Sequence, residues 1–334
     1  MVGLRQPLNF AVLDTMPSNE ALTNAYGRAT RLYHAKHWLL MPIFRYVLPL
    51  ARTRRVYMPN KRSDRIGVWA AEQPITRLTD ADTLYGEELL RTLGLDPAKP
   101  FVCYALASSS YVKMLELRDH PRPAALVIVE RAPNEHTLVS GIRTGLPVDT
   151  PIVRIGQALE PLSSDLRDLV VDYSSVRTDI GDLFLAHNCH FMIAGGDVGA
   201  WWLSAMANRP VLVTDRYGLS TTTYGNDDLF LPMIPLNRRT SEPLPISWII
   251  AHPEWGQRRE ILENINLRRN TCNEIAAVVR EMWQRLSGEW VPPAGHEQRR
   301  LALQSLLAVQ PAWRVRADSN MGAEFLRDHE DLIR

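Results

Sequence analysis

Short apolar runs alternate with helix-like patterns along the chain from about residue 100 to about residue 235. The runs are almost free of polar residues, which is typical of parallel strands whose two faces are both covered by helices. The segments between them predict helices at 134–145, 178–188 and 199–208. This alternation favours a doubly wound α/β domain. The predicted strands are FVCYALA (101–107), AALVIVE (124–130), PIVRIG (151–156), LVVDY (169–173), HFMIAG (190–195), PVLVTD (210–215) and LFLPMI (229–234).

The two flanks of this region have different patterns. Residues 1–95 contain two predicted strands, LNFAVLD (8–14) and RIGVWAA (65–71), and we interpret them as a smaller N-terminal α/β domain. After residue 240 the chain becomes helical and charged, with one or two long amphipathic helices predicted over 257–288 and shorter helices over 297–310 and 323–333. The predicted domains are therefore 1–95, 96–240 and 241–334.

Composition limits the classes of function that are open to the chain. Its 334 residues are 46% hydrophobic and 22% charged, which suits a large core in about two domains. A net charge of +1 lacks the basic excess of a nucleic-acid-binding protein. Cys103, Cys189 and Cys272 are too scattered for a disulfide framework, and the first residues carry no secretory signal pattern. We therefore expect a cytoplasmic protein without a nucleic-acid partner.

An aromatic segment followed by basic residues occupies positions 38–62. Pro42, Arg45 and Pro49 interrupt its apolar run, which is too short to span a bilayer. One interpretation is that the segment lies on an anionic membrane surface, with the basic residues on lipid headgroups. The other is a buried core helix followed by a solvated basic loop. The first interpretation would place the protein peripherally at the inner membrane.

The stretch MIAGGDVGAWWLSAMANRPVLVTD (192–215) joins two predicted strands through a glycine-rich turn and a helix of small residues. A turn that follows a parallel strand lies at the sheet edge where ligands bind in open α/β sheets. Gly195, Gly196 and Gly199 allow close approach of the backbone, and free N–H groups at a helix start attract a phosphate. The alternative is that these glycines only permit helix packing, with Asp197 as the N-cap.

Several common site motifs are missing from the sequence. It has neither the dinucleotide-binding G-x-G-x-x-G pattern nor the P-loop pattern. His and Cys cluster only in HNCH (187–190) and HAKH (34–37), and neither cluster has a third ligand at a suitable spacing. We therefore predict no metal site.

A long collinear part of the chain resembles a family of bacterial GT-B glycosyltransferases that is found with surface-polysaccharide and O-antigen genes. The resemblance covers roughly residues 100–240 and a short helix at the C-terminus. The stretches that carry it are FVCYALASSSY (101–111), PIVRIGQALEPL (151–162), residues 170–215, NDDLFLPMIPL (226–236) and AEFLRDHEDLI (323–333).

The resemblance implies a GT-B-like fold, in which a doubly wound parallel-sheet donor domain is joined by the smaller N-terminal α/β domain and by C-terminal helices. It implies transfer of a sugar from a nucleotide-activated donor to a glycan or lipid-linked glycan acceptor. Such enzymes use no bound metal and no further cofactor, because helix dipoles and cationic side chains stabilise the leaving diphosphate.

Donor-binding residues are expected along the same edge of the sheet. Arg154 and Arg216 would supply positive charge, and Tyr217 a ring for base stacking, although each arginine could equally be an ordinary surface residue. Asp14, at the end of the first predicted strand, is the candidate catalytic base. The residues assigned to donor binding are Gly195, Gly196, Asp197, Gly199, Arg154, Asp215, Arg216, Tyr217 and Tyr111.

One departure from the family pattern bears on activity. Where the family has a His-x-Arg-Asp-like run before its tyrosine, this chain has Ala105, Leu106, Ala107 and Ser108, followed by the retained Tyr111. A catalytically inactive relative that binds a sugar nucleotide, or partners an active transferase, is therefore an alternative. An unrelated α/β enzyme with another phosphate ligand is the third possibility.

Overall fold

The computed structural model describes the backbone of residues 11–13 and 32–34, and the chain at 74, 76–106, 134–156, 160–196, 199–216, 227–252, 261, 263–308 and 320–333. The predicted strands at 65–71 and 124–130 lie outside these residues.

The described elements follow one another as strands and helices along the whole chain. The strands are β1 (Ala11–Leu13), β2 (Leu32–His34), β3 (Val102–Leu106), β4 (Ile152–Arg154), β5 (Val171–Asp172), β6 (Met192–Gly195), β7 (Val211–Arg216), β8 (Leu229–Pro232), β9 (Ile234–Asn237), β10 (Ile265–Arg268) and β11 (Asn320–Met321). The helices are α1 (Asp80–Thr92), α2 (Glu135–Gly145), α3 (Asp179–Asn188), α4 (Trp201–Met206), α5 (Ile246–Ala251), α6 (Cys272–Ser287), α7 (His296–Ala308) and α8 (Ala323–Asp328).

A seven-stranded parallel sheet forms the centre of the described fold. Its strand order is β11-β8-β7-β6-β3-β4-β5. From β3 the chain moves outward to β4 and β5, returns to β6 beside β3, and then moves outward in the other direction to β7 and β8. This order confirms the predicted doubly wound parallel sheet, and it is compatible with a Rossmann-like fold. A separate parallel pair, β1 and β2, lies near the N-terminus.

The sequence pattern locates most of the described strands of the central sheet, but it misses β2, β10 and β11 and joins β8 to β9. The predicted strand at 229–234 is divided at Met233, because β8 pairs with β7 whereas β9 pairs antiparallel with β10. One or two long helices are predicted over 257–288, but Ile265–Arg268 within this range forms strand β10. Helix α6 begins only at Cys272, because Thr271 and Glu274 form a capping box that satisfies backbone N–H groups at this point.

Helices cover both faces of the sheet. Right-handed crossovers in opposite directions from β3 and β6 place α2 and α4 on opposite faces. Helix α6 packs on α2, whereas α1 and α4 pack on α3. The apolar side chains of β6 and β7 between these layers are buried, as are those of β3 up to Ala105, whereas Leu106 is partly buried.

Elements from outside the predicted central domain also pack on this sheet. Helix α1 falls within the predicted N-terminal domain at 1–95, yet it contacts α3. From the predicted C-terminal segment at 241–334, α6 covers one face and β11 extends the sheet. Most of residues 1–73 lie outside the described part of the chain, so the three-domain division stays a prediction.

We expect Gly145→Ala to destabilise the protein by about 1–3 kcal/mol, the usual cost of overpacking. A Cβ atom at this position would lie 2.5 Å from the backbone oxygen of Ala276 and 2.8 Å from Cβ of Val279, both in α6. Urea unfolding measures the effect, with the exposed neighbour substitution Thr144→Ala as the control. Equal stability of Gly145→Ala and the parent would show that α2 and α6 are not in close contact.

Candidate functional site

The candidate site lies at the carboxyl edge of the sheet, where β3 and β6 end side by side. The chain leaves these two neighbouring strands in opposite directions, which creates the crevice in which open α/β sheets bind ligands. Gly195 ends β6, and Gly196 follows it with φ +75° and donates its N–H to the carbonyl of Thr214 at 2.9 Å. Glycine adopts this left-handed conformation without a steric penalty, so the sharp turn depends on Gly196.

The segment after this turn is open at Gly199. Among the described residues, apart from its chain neighbours, none places an atom within 4 Å of the position that a Cβ of Gly199 would occupy. Asp197 lies outside the described residues, but the N-cap of α4 is Ala200, so the alternative interpretation of Asp197 as the N-cap is wrong. Because alanine has no polar side chain, no side-chain hydrogen bond caps α4.

Two adjacent tryptophans begin α4, directly behind the glycine turn. The rings of Trp201 and Trp202 are stacked, with centroids 4.2 Å apart, and Trp201 is buried whereas Trp202 is partly exposed. Sequence analysis did not assign either residue to the site, although the doublet next to a glycine turn was a usable signal.

Arg154 ends β4 on the other side of β3, where it is almost completely buried. Its Nε and Nη2 donate to the two carboxylate oxygens of Glu135, at 2.7 and 3.1 Å. Its Nη1 donates to the carbonyl of Glu160 at 2.9 Å and lies 3.4 Å from Asp172 Oδ2. The guanidinium therefore ties α2, β4 and β5 together.

Tyr104 completes this network from β3. Its hydroxyl donates to Glu135 at 2.8 Å, and its side chain is fully buried. Burial and then the negative charge of Glu135 raise the pKa of Tyr104 far above its ordinary value, so the phenol stays protonated and acts as a donor. A diphosphate that approached Arg154 would have to compete with Glu135 for the guanidinium.

Asp215 has a structural partner at the end of β7. It is buried and has φ +49°, which is uncommon for a residue with a side chain. Its backbone N–H donates to the side chain of Asn270 at 2.6 Å, and its carboxylate accepts the backbone N–H of Asn270 at 2.7 Å. The side chain of Asn270 also donates to the carbonyl of Pro232. This pair, which sequence analysis missed, fastens the ends of β7 and β8 to the segment that leads into α6.

An ionic cluster follows at the start of α6. Arg268 donates to both carboxylate oxygens of Glu274, at 3.0 and 2.8 Å, and His329 lies 2.6 Å from the same carboxylate. Burial favours the protonated acid, but hydrogen bonds from Arg268, the Thr271 backbone and His329 together lower the pKa of Glu274 to about 2. Glu274 is therefore charged at neutral pH, and it holds the C-terminal residues against α6.

The described residues separate the assigned donor-binding side chains into two groups on the same edge. Gly195 ends β6 and Gly196 follows it, Asp215 and Arg216 end β7, and Arg154 belongs to the network across β3. Arg216 is buried at the end of β7. Asp14, Tyr111, Tyr217, Ala107, Ser108 and the segment 38–62 lie outside the described residues. Ala105 is buried and pairs with Ala194 of β6.

The described residues of the two His clusters have other contacts. His187 lies 2.8 Å from the Thr76 hydroxyl, Cys189 is buried, and the His190 ring packs on Trp283. Within the described part of the chain, no three His, Cys, Asp or Glu side chains come together as a metal site. No helix there is long and apolar enough to span a membrane.

Comparison with known proteins finds no matching family model, no matching curated protein and no matching solved structure. The resemblance to GT-B glycosyltransferases therefore stays a hypothesis, which the sheet topology allows.

We expect Arg154→Met to lower the free energy of unfolding by about 3 kcal/mol, because it leaves Glu135 without its buried partner. The matched control is Arg91→Met, since Arg91 is about half exposed and pairs with Glu87 and Glu88 on the surface of α1. Arg91→Met should lower the free energy of unfolding by less than about 1 kcal/mol. Denaturant unfolding of both variants makes the comparison, and equal costs would leave Arg154 without a structural role.

Proposed function

We propose that the chain is a glycosyltransferase that takes a sugar from a nucleotide-activated donor and adds it to a surface-glycan acceptor. The observation that carries the proposal is the position of the Gly195–Gly199 turn, which leaves the sheet at the point where the chain changes direction. In folds of this order, that point is where phosphate-containing ligands bind.

The turn has the properties that a diphosphate site needs. Gly196 brings the backbone into a sharp bend, and no described side chain crowds the position in front of Gly199. The first turn of α4 has no side-chain cap, and the N–H groups of Trp202 and Leu203 donate to the carbonyls of Gly199 and Ala200, at 3.2 and 3.1 Å. In the proposed mechanism the diphosphate lies at the N-terminal end of α4, and the dipoles of the peptide groups there stabilise the charge that develops as it leaves the sugar.

The sequence resemblance supports a sugar nucleotide over other phosphate ligands, because the stretches that carry the resemblance contain β3 and β6, the two strands at the crevice. It also supports metal-independent transfer. Asp14 stays the candidate base that would accept the proton of the acceptor hydroxyl.

A second candidate function, sugar-nucleotide binding without transfer, is favoured by two observations. Ala105 occupies the buried end of β3 where the family has a polar run, so this strand end offers no catalytic side chain there. The guanidinium of Arg154 is also already bound to Glu135. Under this alternative the chain would bind the same donors but would not transfer or hydrolyse them.

We expect Gly199→Val to weaken binding of a nucleoside diphosphate at least tenfold without changing the melting temperature. The new side chain would enter open space in front of the turn and block the ligand, not the fold. Calorimetry with UDP, GDP, ADP and CMP, followed by their sugar conjugates, measures the effect. Gly196→Val is a poorer probe, since valine at φ +75° strains the backbone as well.

The matched control is Ala98→Val, which adds the same side chain at an exposed position just before β3, at the opposite end of the sheet. Unchanged affinity in Gly199→Val would remove the site from this turn. Donor hydrolysis without acceptor then separates a transferase from an inactive relative. Activity that EDTA abolishes and Mn²⁺ or Mg²⁺ restores would contradict the metal-independent mechanism.

A further inference from the structure

The glycine turn of the candidate site is tied to the end of β7. Gly195 of β6 is paired with Thr214, and the N–H of Gly196 donates to the carbonyl of Thr214 at 2.9 Å. The next residue of β7, Asp215, has φ +49°, a conformation that is uncommon for a residue with a side chain. Such a conformation persists where the surrounding structure holds it in place. The geometry of the turn therefore depends on the contacts of Asp215.

Asn270 makes two hydrogen bonds to Asp215 from the segment between β10 and α6. Its side chain accepts the backbone N–H of Asp215 at 2.6 Å, and its backbone N–H donates to the Asp215 carboxylate at 2.7 Å. Its side-chain amide also donates to the carbonyl of Pro232, the last residue of β8, at 3.0 Å. The position of Asn270 therefore helps to set the ends of both β7 and β8.

A single carboxylate, that of Glu274 in α6, anchors the chain on both sides of Asn270. Arg268, two residues before Asn270, donates to the two carboxylate oxygens at 3.0 and 2.8 Å. Thr271, the residue after it, donates its backbone N–H to Oε2 at 2.7 Å and its hydroxyl to the same atom at 3.0 Å. Residues 268–274 thus form a local loop that closes on this carboxylate.

His329 contacts the same carboxylate from near the C-terminal end of the chain. Its Nε2 lies 2.6 Å from Oε1 of Glu274, and because a carboxylate only accepts hydrogen bonds, the imidazole nitrogen is the donor. Nη2 of Arg268 lies 3.1 Å from this Nε2, so the two donors approach Glu274 side by side. Among the described residues that donate to Glu274, His329 is the one that lies far from it in sequence. It therefore fixes the 268–274 loop to a distant part of the chain.

The C-terminal segment that carries His329 is attached to the fold at other points as well. The backbone N–H of Ala323 donates to the side chain of Glu281 in α6 at 2.6 Å. Glu330 forms a salt bridge with Arg299 of α7 at 3.1 Å, and the apolar side chains of α8 are buried. Loss of the imidazole alone would therefore leave this segment in place.

We propose that His329 is a positioning residue of the candidate donor site. By donating to Glu274 it fixes the loop that contains Asn270, and Asn270 in turn holds Asp215 and the glycine turn in the conformation that binds a ligand. The role rests on the proposed function, which assigns a nucleoside diphosphate to the glycine turn. His329 acts through these residues and not by touching the ligand.

Hydrogen exchange of the ligand-free protein tests this role without any nucleotide. His329→Leu removes the donor but keeps an apolar side chain against Phe325, on which the imidazole packs. In this variant we expect exchange over 211–216 in β7 to become about threefold or more faster, relative to any change over 102–106 in β3, because the end of β7 opens locally. His329→Gln keeps a side-chain N–H donor and should exchange like the parent.

The matched control is Glu330→Leu, which removes the salt bridge of the same segment to α7 and leaves the contact between His329 and Glu274 intact. It should exchange like the parent over 211–216. Equal acceleration in Glu330→Leu, no excess over 102–106 in His329→Leu, or failure of His329→Gln to keep the parent rate would overturn the positioning role.

Nucleotide titrations connect the role to the donor site. When UDP, GDP or ADP binds the parent, His329→Leu should weaken that binding about threefold or more, because a smaller fraction of molecules holds the competent conformation. His329→Gln and Glu330→Leu should bind like the parent. Parent-like binding by His329→Leu would overturn the inference. If no nucleotide binds the parent, the donor-site proposal fails, and the exchange rates still decide whether His329 positions β7.

Discussion

The return of the chain from β5 to a position beside β3 is the constraint on which the rest of the structure depends. Because β6 pairs with β3, the two halves of the sheet extend in opposite directions from this pair. Right-handed crossovers then require helices on opposite faces, with the next strands, β4 and β7, on opposite sides of the β3–β6 pair. At such a point an open α/β sheet forms a crevice at its carboxyl edge, and Gly196 turns the chain sharply there.

Buried polar groups hold the strand ends on both sides of that space. Arg154 joins α2, β4 and β5 through Glu135 and Asp172, and Asp215 joins β7 to the start of α6 through Asn270. Arg154 and Asp215 both form hydrogen bonds with partners from other parts of the sequence. Buried charged groups in proteins are usually paired in this way. Both residues were assigned to donor binding from sequence. In the structure their contacts shape the edge where a ligand would bind.

Sequence patterns predict the fold better than they predict the site. Uninterrupted apolar runs identify β3, β6 and β7 because both faces of these strands are buried. Strand β10 was missed because its INLR residues are only partly buried and their charge resembles that of the helical neighbours. The partners of Arg154 and Asp215 could not be predicted, since they lie 19 and 55 residues away and meet only in the folded chain.

Backbone hydrogen exchange in the presence and absence of saturating UDP, GDP or ADP tests most directly whether the β3–β6 edge is the ligand site. The account predicts slower exchange in peptides that cover 192–204, which contain the glycine turn and the start of α4. Peptides over 285–300, at the opposite end of the sheet, should exchange at the same rate in both conditions. Protection over 285–300 instead, or no protection by any of the three nucleotides, would contradict it.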